Sequence, residues 1–356
     1  MKKIKRKTIV AIAAILPIAY CLLLTSSNAQ DKHFSQFYYS PLNLNPALTG
    51  AIEGNFRTML NYRNQWRGIT SPFVTTSFGA DVTLRGTEWG EDWFGSGLVI
   101  VNDKAGSGGL SDLRLMLSGS YFKWLDQYNY VSAGVQAGIV QRKIDFSSFE
   151  FESQFVNNSP DPGITQDKIS SFNFDMHAGA AWFFKPNEGM QISTGFGFFH
   201  LLKPKKSFID ADYLDSLGEG IGKEDRMGVF HSNARIALTR EIDLLPAFLY
   251  QRKKKAQELM AGTSVGFSFI KGRKTRGIVL VGGWLRFFEN IDAFILSTGL
   301  EYESFTLGIS YDVNISSLKK SVDVFGRPGG PEFSLIYEFP IPAKRKRKPI
   351  PCPRFD

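Results

Sequence analysis

The 356-residue chain carries two cysteines and four histidines, and after its first thirty residues it holds no apolar run of membrane-helix length. Each shortage excludes something. If Cys21 leaves with a processed leader, Cys352 stands alone, so neither an internal disulfide framework nor a multi-cysteine metal site can form. His33, His177, His200 and His231 stand at no metal-ligand spacing along the chain. The longest apolar stretch, Ile278 to Leu285, spans eight residues and includes two glycines. That falls short of the roughly 18 residues a spanning helix needs.

What is present begins with the N-terminus. Lys2, Lys3, Lys5, Arg6 and Lys7 precede an apolar run from Ile9 to Leu24, and Ser27-Asn28-Ala29 follows. This is the pattern of a secretory signal, with cleavage expected after Ala29. Cys21 is a poor lipidation site, because bulky Tyr20 precedes it and Leu22 to Leu24 prolong the apolar run. Loss of the leader's five basic residues lowers the formal net charge from +8 to +3. Lys344 to Lys348 hold five more basic residues, leaving a body of about −2, so no broad nucleic-acid-binding face is expected.

The body of the chain alternates with period two. In 55–67 the even positions Phe56, Leu60, Tyr62 and Trp66 are apolar, while Arg57, Asn61, Arg63 and Gln65 occupy odd ones. Val131 to Ile139 and Phe172 to Phe184 repeat this grammar, which is that of strands with one oily and one wet face. Fourteen strands are expected, starting near residues 55, 72, 94, 110, 129, 172, 190, 227, 241, 256, 276, 291, 304 and 331. The long polar stretches Ile144 to Ser171, Lys203 to Arg226 and Val313 to Gly330 all follow odd-numbered strands. Outer-membrane barrels keep long loops outside and short turns on the periplasmic side, so a single outer end collects all three.

The fold class read from this is all-β: a transmembrane, antiparallel, up-and-down β-barrel of about 14 strands with an N-terminal hatch or plug. Its expected segments are a signal peptide (1–29), a periplasmic or plug segment (30–54), the barrel (55–340) and a basic periplasmic tail (341–356). Trp66, Tyr121, Trp124, Phe183 and Phe339 are expected in interfacial aromatic girdles. Arg63, Asp81, Asp175, His177, His231 and Arg235 are expected to face the lumen. A soluble β-sandwich shows the same alternation, with its apolar faces turned to a dry core. Strand number, strand length and the lack of a linker favour the barrel.

Little here points to catalysis. His177 beside Asn173 and Asp175, and His231 beside Asn233 and Arg235, read as hydrogen-bonded members of a polar interior rather than as a lumenal hydrolase site. Gly106, Gly108 and Gly109, and Gly326, Gly329 and Gly330, read as turn glycines, since neither group sits between a strand and a helix as a phosphate cradle requires. No catalytic residue, cofactor or metal is expected. The basic tail is a solvated terminus or a dock for an acidic periplasmic surface.

The run Phe34 to Gly50, with Asn45-Pro46-Ala47 near its end, resembles the opening of the PorP/SprF family of type IX secretion proteins. The likeness continues through Tyr62-Arg63-Asn64-Gln65-Trp66, Asn102-Asp103 with Gly106, Asp161-Pro162 and Gly308 to Tyr311-Asp312, and on to Pro331-Glu332-Phe333 and Cys352-Pro353-Arg354-Phe355. At Gly330-Pro331 the family's usual histidine is missing, so no role is carried to that site. The resemblance implies an outer-membrane barrel working with the type IX secretion and gliding apparatus. Its implied partners are outer-membrane lipid, other secretion components, and either a periplasmic peptidoglycan-binding protein or the C-terminal domain of a secreted adhesin. Asn45-Pro46-Ala47 before the first strand also resembles the hatch of FadL-like channels for hydrophobic compounds, which leaves ligand uptake as the alternative. A lipid-cleaving barrel enzyme is the third reading.

Overall fold

The structure, a computed structural model, describes residues 34–65, 72–86, 90–105, 109–145, 168–206, 208, 222–271, 274–288, 291–315 and 329–339. Fourteen strands run β1 (Phe56–Gln65), β2 (Phe73–Leu84), β3 (Trp93–Ala105), β4 (Leu110–Trp124), β5 (Asn129–Asp145), β6 (Lys168–Asn187), β7 (Met190–Phe199), β8 (Met227–Ala237), β9 (Ile242–Lys253), β10 (Ala256–Lys271), β11 (Lys274–Phe287), β12 (Ile291–Tyr302), β13 (Phe305–Asn314) and β14 (Gly329–Phe339). Each pairs antiparallel with its sequence neighbours, and β1 pairs with β14 from Phe56↔Phe339 to Arg63↔Glu332. Closure leaves no unpaired edge, the condition for exposing strands to hydrocarbon.

The alternation reads out as two faces. Leu60, Phe78, Leu117, Phe174, Phe196 and Leu296 are exposed on the outer wall, while Arg57, Asn61, Arg63, Asp81 and Asp175 are buried within. An apolar belt on the outside of a closed sheet is a lipid-facing surface. Among the described residues no helix is long and apolar enough to cross a membrane; the strands make the crossing.

The barrel has one end with short turns, where β1 starts and β14 finishes, and one with long connections. Residues 146–167, 200–226 and 315–328 join β5 to β6, β7 to β8 and β13 to β14, all at the long-loop end. At the other end Glu303 and Ser304 suffice to join β12 to β13, with Glu303 in the left-handed region at φ 55°. The 85–92 connection, between β2 and β3, departs from the short-turn rule. At 17 and 20 residues, β5 and β6 exceed the roughly 9–11 a crossing needs, so this hairpin projects past the hydrocarbon layer. Gly329 and Gly330, expected in a turn, instead open β14.

The interior is less watery than the alternation implies. Inward aromatics form a dry core: Trp93 stacks on Phe122 at 4.5 Å, and Phe122 meets Phe183 at 5.8 Å. Phe183 therefore does not lie in an outer girdle, and Trp124 packs against the same core. Trp182, Phe183 and Phe184 are consecutive, and period two turns the middle ring inward while Trp182 stays outside, its Nε1 donating to Asn129 Oδ1 at 3.0 Å. Tyr121 and Phe339 are exposed as expected. Trp66 lies outside the described residues.

The ladder between β8 and β9 is interrupted. Pairing passes from Asn233↔Ala247 to Ile236↔Leu244, skipping the level of Pro246, which has no N–H to donate.

Candidate functional site

Residues 34–54 occupy the lumen. Three short turns, Phe37–Tyr39, Pro41–Leu44 and Pro46–Leu48, fold this segment into a compact plug. Pro41 and Pro46 each begin a turn, where a missing N–H costs nothing because the first N–H groups have no internal acceptor. Asn45 Oδ1 accepts the N–H of Ala47 at 2.9 Å and so caps the last turn. Phe37, Tyr38, Tyr39, Leu42 and Leu48 are buried in the core with the inward wall aromatics, Tyr38 stacking on Trp284 at 5.0 Å.

Polar moorings hold the plug along its length. At the long-loop end, Glu332 accepts the backbone N–H of Ser35 at 2.7 Å and of Gln36 at 2.8 Å. Beside it, Asp312 Oδ2 accepts from Ser35 Oγ at 2.9 Å, Arg63 Nη2 at 2.9 Å and Arg286 Nη1 at 2.7 Å. These carboxylates and guanidiniums neutralise one another away from water, which a buried charge requires.

Mid-barrel, Asn45 Nδ2 lies 3.1 Å from the carbonyl of Ala180, 3.2 Å from that of Phe196 and 3.0 Å from His231 Nε2, thereby touching β6, β7 and β8. Gly179 and Gly195 make room for it. A Cβ at 179 would stand 1.9 Å from Asn45 Oδ1, and one at 195 would stand 2.7 Å from Nδ2. Gln136 Nε2 donates to the Leu42 carbonyl at 3.3 Å, and Ser132 Oγ to that of Ala47 at 2.8 Å.

At the short-turn end, Asp81 receives Arg57 through Nε at 3.0 Å and Nη2 at 2.8 Å, and the N–H of Gly50 at 2.7 Å. Trp93 Nε1 and Thr83 Oγ1 both donate to the Gly50 carbonyl, at 3.3 and 3.0 Å.

The residues singled out in the sequence thus fall into distinct places. Asn45, Pro46 and Ala47 are buried in the plug, Asp312 and Glu332 in its upper mooring, and Arg63 joins them from β1. Tyr311 points the other way, to the outer face, and Gln65 ends β1 half-buried. Asp81 is the lower mooring. Arg235 pairs with Asp243 at 2.7 Å, apart from the plug contacts just described. His231 holds Asn45, and Asp175 with His177 forms a separate cluster that His200 joins. Trp66, Asp161, Pro162, Cys352, Pro353 and Phe355 lie outside the described residues. Ser35, Gln36, Arg57, Gln136, His200 and Arg286 join these contacts without having stood among the candidate site residues. Arg57 and Gln136 lie on the inward register that the alternation marks; the contacts of the others follow from closure of the barrel and the path of the plug.

A cavity of about 80 Å³ remains between plug and wall, lined by Phe37, Leu44, Val99, Met116, His177 and Phe199 among others.

Fold and site together define a plugged, 14-stranded transmembrane β-barrel. Over residues 26–325 the sequence matches the profile of the type IX secretion system membrane protein PorP/SprF. The chain belongs to the PorP/SprF family, which supports residence in the outer membrane and membership of the type IX secretion machinery. No curated protein matches it. Among solved structures, a FadL homologue of Pseudomonas aeruginosa is similar at 11% identity, covering 83% of this chain and 93% of its own, with a TM-score of 0.46. The CymD monoaromatic hydrocarbon channel is similar at 11% identity, 85% and 93% coverage and a TM-score of 0.45. The Pseudomonas putida toluene transporter TodX is similar at 10% identity, 84% and 93% coverage and a TM-score of 0.45.

Proposed function

We propose that the protein is a non-enzymatic docking barrel of the type IX apparatus, exported by its N-terminal signal peptide and fixed in the outer membrane. It either retains or helps export an adhesin through that adhesin's C-terminal domain, or ties the outer membrane to a periplasmic peptidoglycan-binding partner of the secretion and gliding machinery. The observation that carries this reading is the plug, fastened to the wall at both ends and in the middle. A lumen filled in this way leaves the two rims as working surfaces. His177 and His231 are engaged by Gln136, Asp175 and Asn45, contacts that serve the architecture. The basic run at Lys344 to Lys348 supplies charge for an acidic partner. The test is affinity purification of the protein from native envelope under mild detergent. The reading expects a secreted adhesin domain or a periplasmic binding protein in stoichiometric amount, and isolation with lipid alone contradicts it.

A second reading, uptake of hydrophobic compounds, draws on the ladder gap at Pro246, where a wall could part sideways. Against it, the cavity of about 80 Å³ between plug and wall lies well below the roughly 300–1,000 Å³ of ordinary ligand pockets, and a larger space of about 240 Å³ is lined by charged Glu53, Glu188, Arg235 and Asp243. Fatty acid or detergent bound in the lumen of the purified protein would favour uptake.

A further inference from the structure

Asp175, His177 and His200 are all buried, and one ligand atom from each lies within 4.8 Å of the others. Asp175 and His177 are two apart on β6 and so share its inward face. His200 arrives from just past the end of β7, held in the left-handed region at φ 58°, where a residue without special cause rarely sits. The N–H of Leu201 is bonded to the Met176 carbonyl at 2.9 Å, which fixes the backbone that presents the His200 ring.

The hydrogen bonds determine how His177 is used. Gln136 Nε2 donates to the Leu42 carbonyl, so Gln136 Oε1 is the atom turned to His177 Nδ1, at 2.8 Å. An amide oxygen only accepts, hence Nδ1 carries the hydrogen. The lone pair of a neutral His177 then lies on Nε2, which faces Asp175 Oδ2 at 3.1 Å. His200 Nδ1 meets the same oxygen at 2.5 Å, while the other oxygen, Oδ1, is occupied by the N–H of Met176 at 2.8 Å. A lone pair aimed at a carboxylate is repulsive unless a cation lies between them. A side-chain carbonyl holding the far nitrogen of an imidazole is also the support that metal-ligating histidines ordinarily have.

We propose that Asp175, His177 and His200 bind one divalent transition-metal ion of the zinc class, with Gln136 orienting His177. Two imidazoles and one carboxylate are a donor set suited to zinc and its neighbours rather than to calcium or magnesium. With metal–ligand bonds of about 2.0–2.2 Å at tetrahedral angles, ligand atoms stand roughly 3.3 Å apart, so the 3.1 Å pair is already at that spacing and the 2.5 Å pair must open slightly. The fourth position falls to water. Arg114, the cation lining the neighbouring cavity, is paired with Asp112 at 3.3 Å. The ion would clamp the chain at His200, just past β7, to β6 and, through Gln136 and Leu42, to the plug.

The experiment uses the untagged mature protein, stripped with a chelator in detergent and titrated with Zn²⁺. One equivalent is expected, with binding lost in Asp175→Asn and in His177→Gln. Co²⁺ in place of Zn²⁺ should give the intense visible bands of a tetrahedral nitrogen and oxygen set, a readout that needs no variant. Gln136→Met should weaken affinity by about 10–100-fold at unchanged stoichiometry. Less than a tenth of an equivalent in the wild type, retention of the metal by both ligand variants, the weak bands of hydrated Co²⁺, or an unaltered affinity in Gln136→Met would each overturn the proposal. In the first case a proton, not a metal, bridges the cluster.

Discussion

At the scale of single residues, inward charge is tolerated where charged groups stand in pairs or clusters. Asp81 shows this most clearly, accepting both Arg57 nitrogens and the Gly50 N–H. Removing one member of a buried ion pair costs about 3–5 kcal/mol, far more than an exposed pair contributes. Asp81→Ala should therefore lower the stability of the detergent-solubilised barrel by about that amount, read as a drop in its unfolding midpoint. Asp81→Asn, which keeps an acceptor for Gly50, should lose less. Wild-type stability in Asp81→Ala would mean that the mooring is ornamental.

At the scale of elements, every strand begins within four residues of its expected start, because alternation interrupted by turn residues is a strong signal in a closed sheet with one oily face. The even-numbered turns and the long odd connections were legible for the same reason. Direction was harder wherever neighbouring residues were alike, as Trp182-Phe183-Phe184 illustrates. The site was legible only in part. Asp175 and His177 share a face by period two, but His200 lies 23 positions beyond His177 and joins them by tertiary closure alone. Glu332 and Asp312 could be marked as motif residues, yet that they grip Ser35 and Gln36 depends on where the plug threads. Gly179 and Gly195 give this scale its test, since a side chain at either would collide with Asn45. In Gly179→Leu the barrel should still close while the segment 34–52 is driven from its seat and becomes open to added protease, whereas in the wild type it resists. Equal resistance in both would place Asn45 elsewhere.

At the scale of the whole molecule, stability among the described residues comes from fourteen closed ladders and a mixed core. The outer wall solves the problem of residence in lipid, and the inner wall is spent on holding a segment of the same chain. A rigid, filled cylinder suits attachment better than passage. The most direct measurement of that claim is single-channel recording of the full mature protein in a planar bilayer, beside a variant lacking residues 34–52. The account predicts a silent wild type and a conducting variant; a steady, porin-like current through the wild type would contradict it.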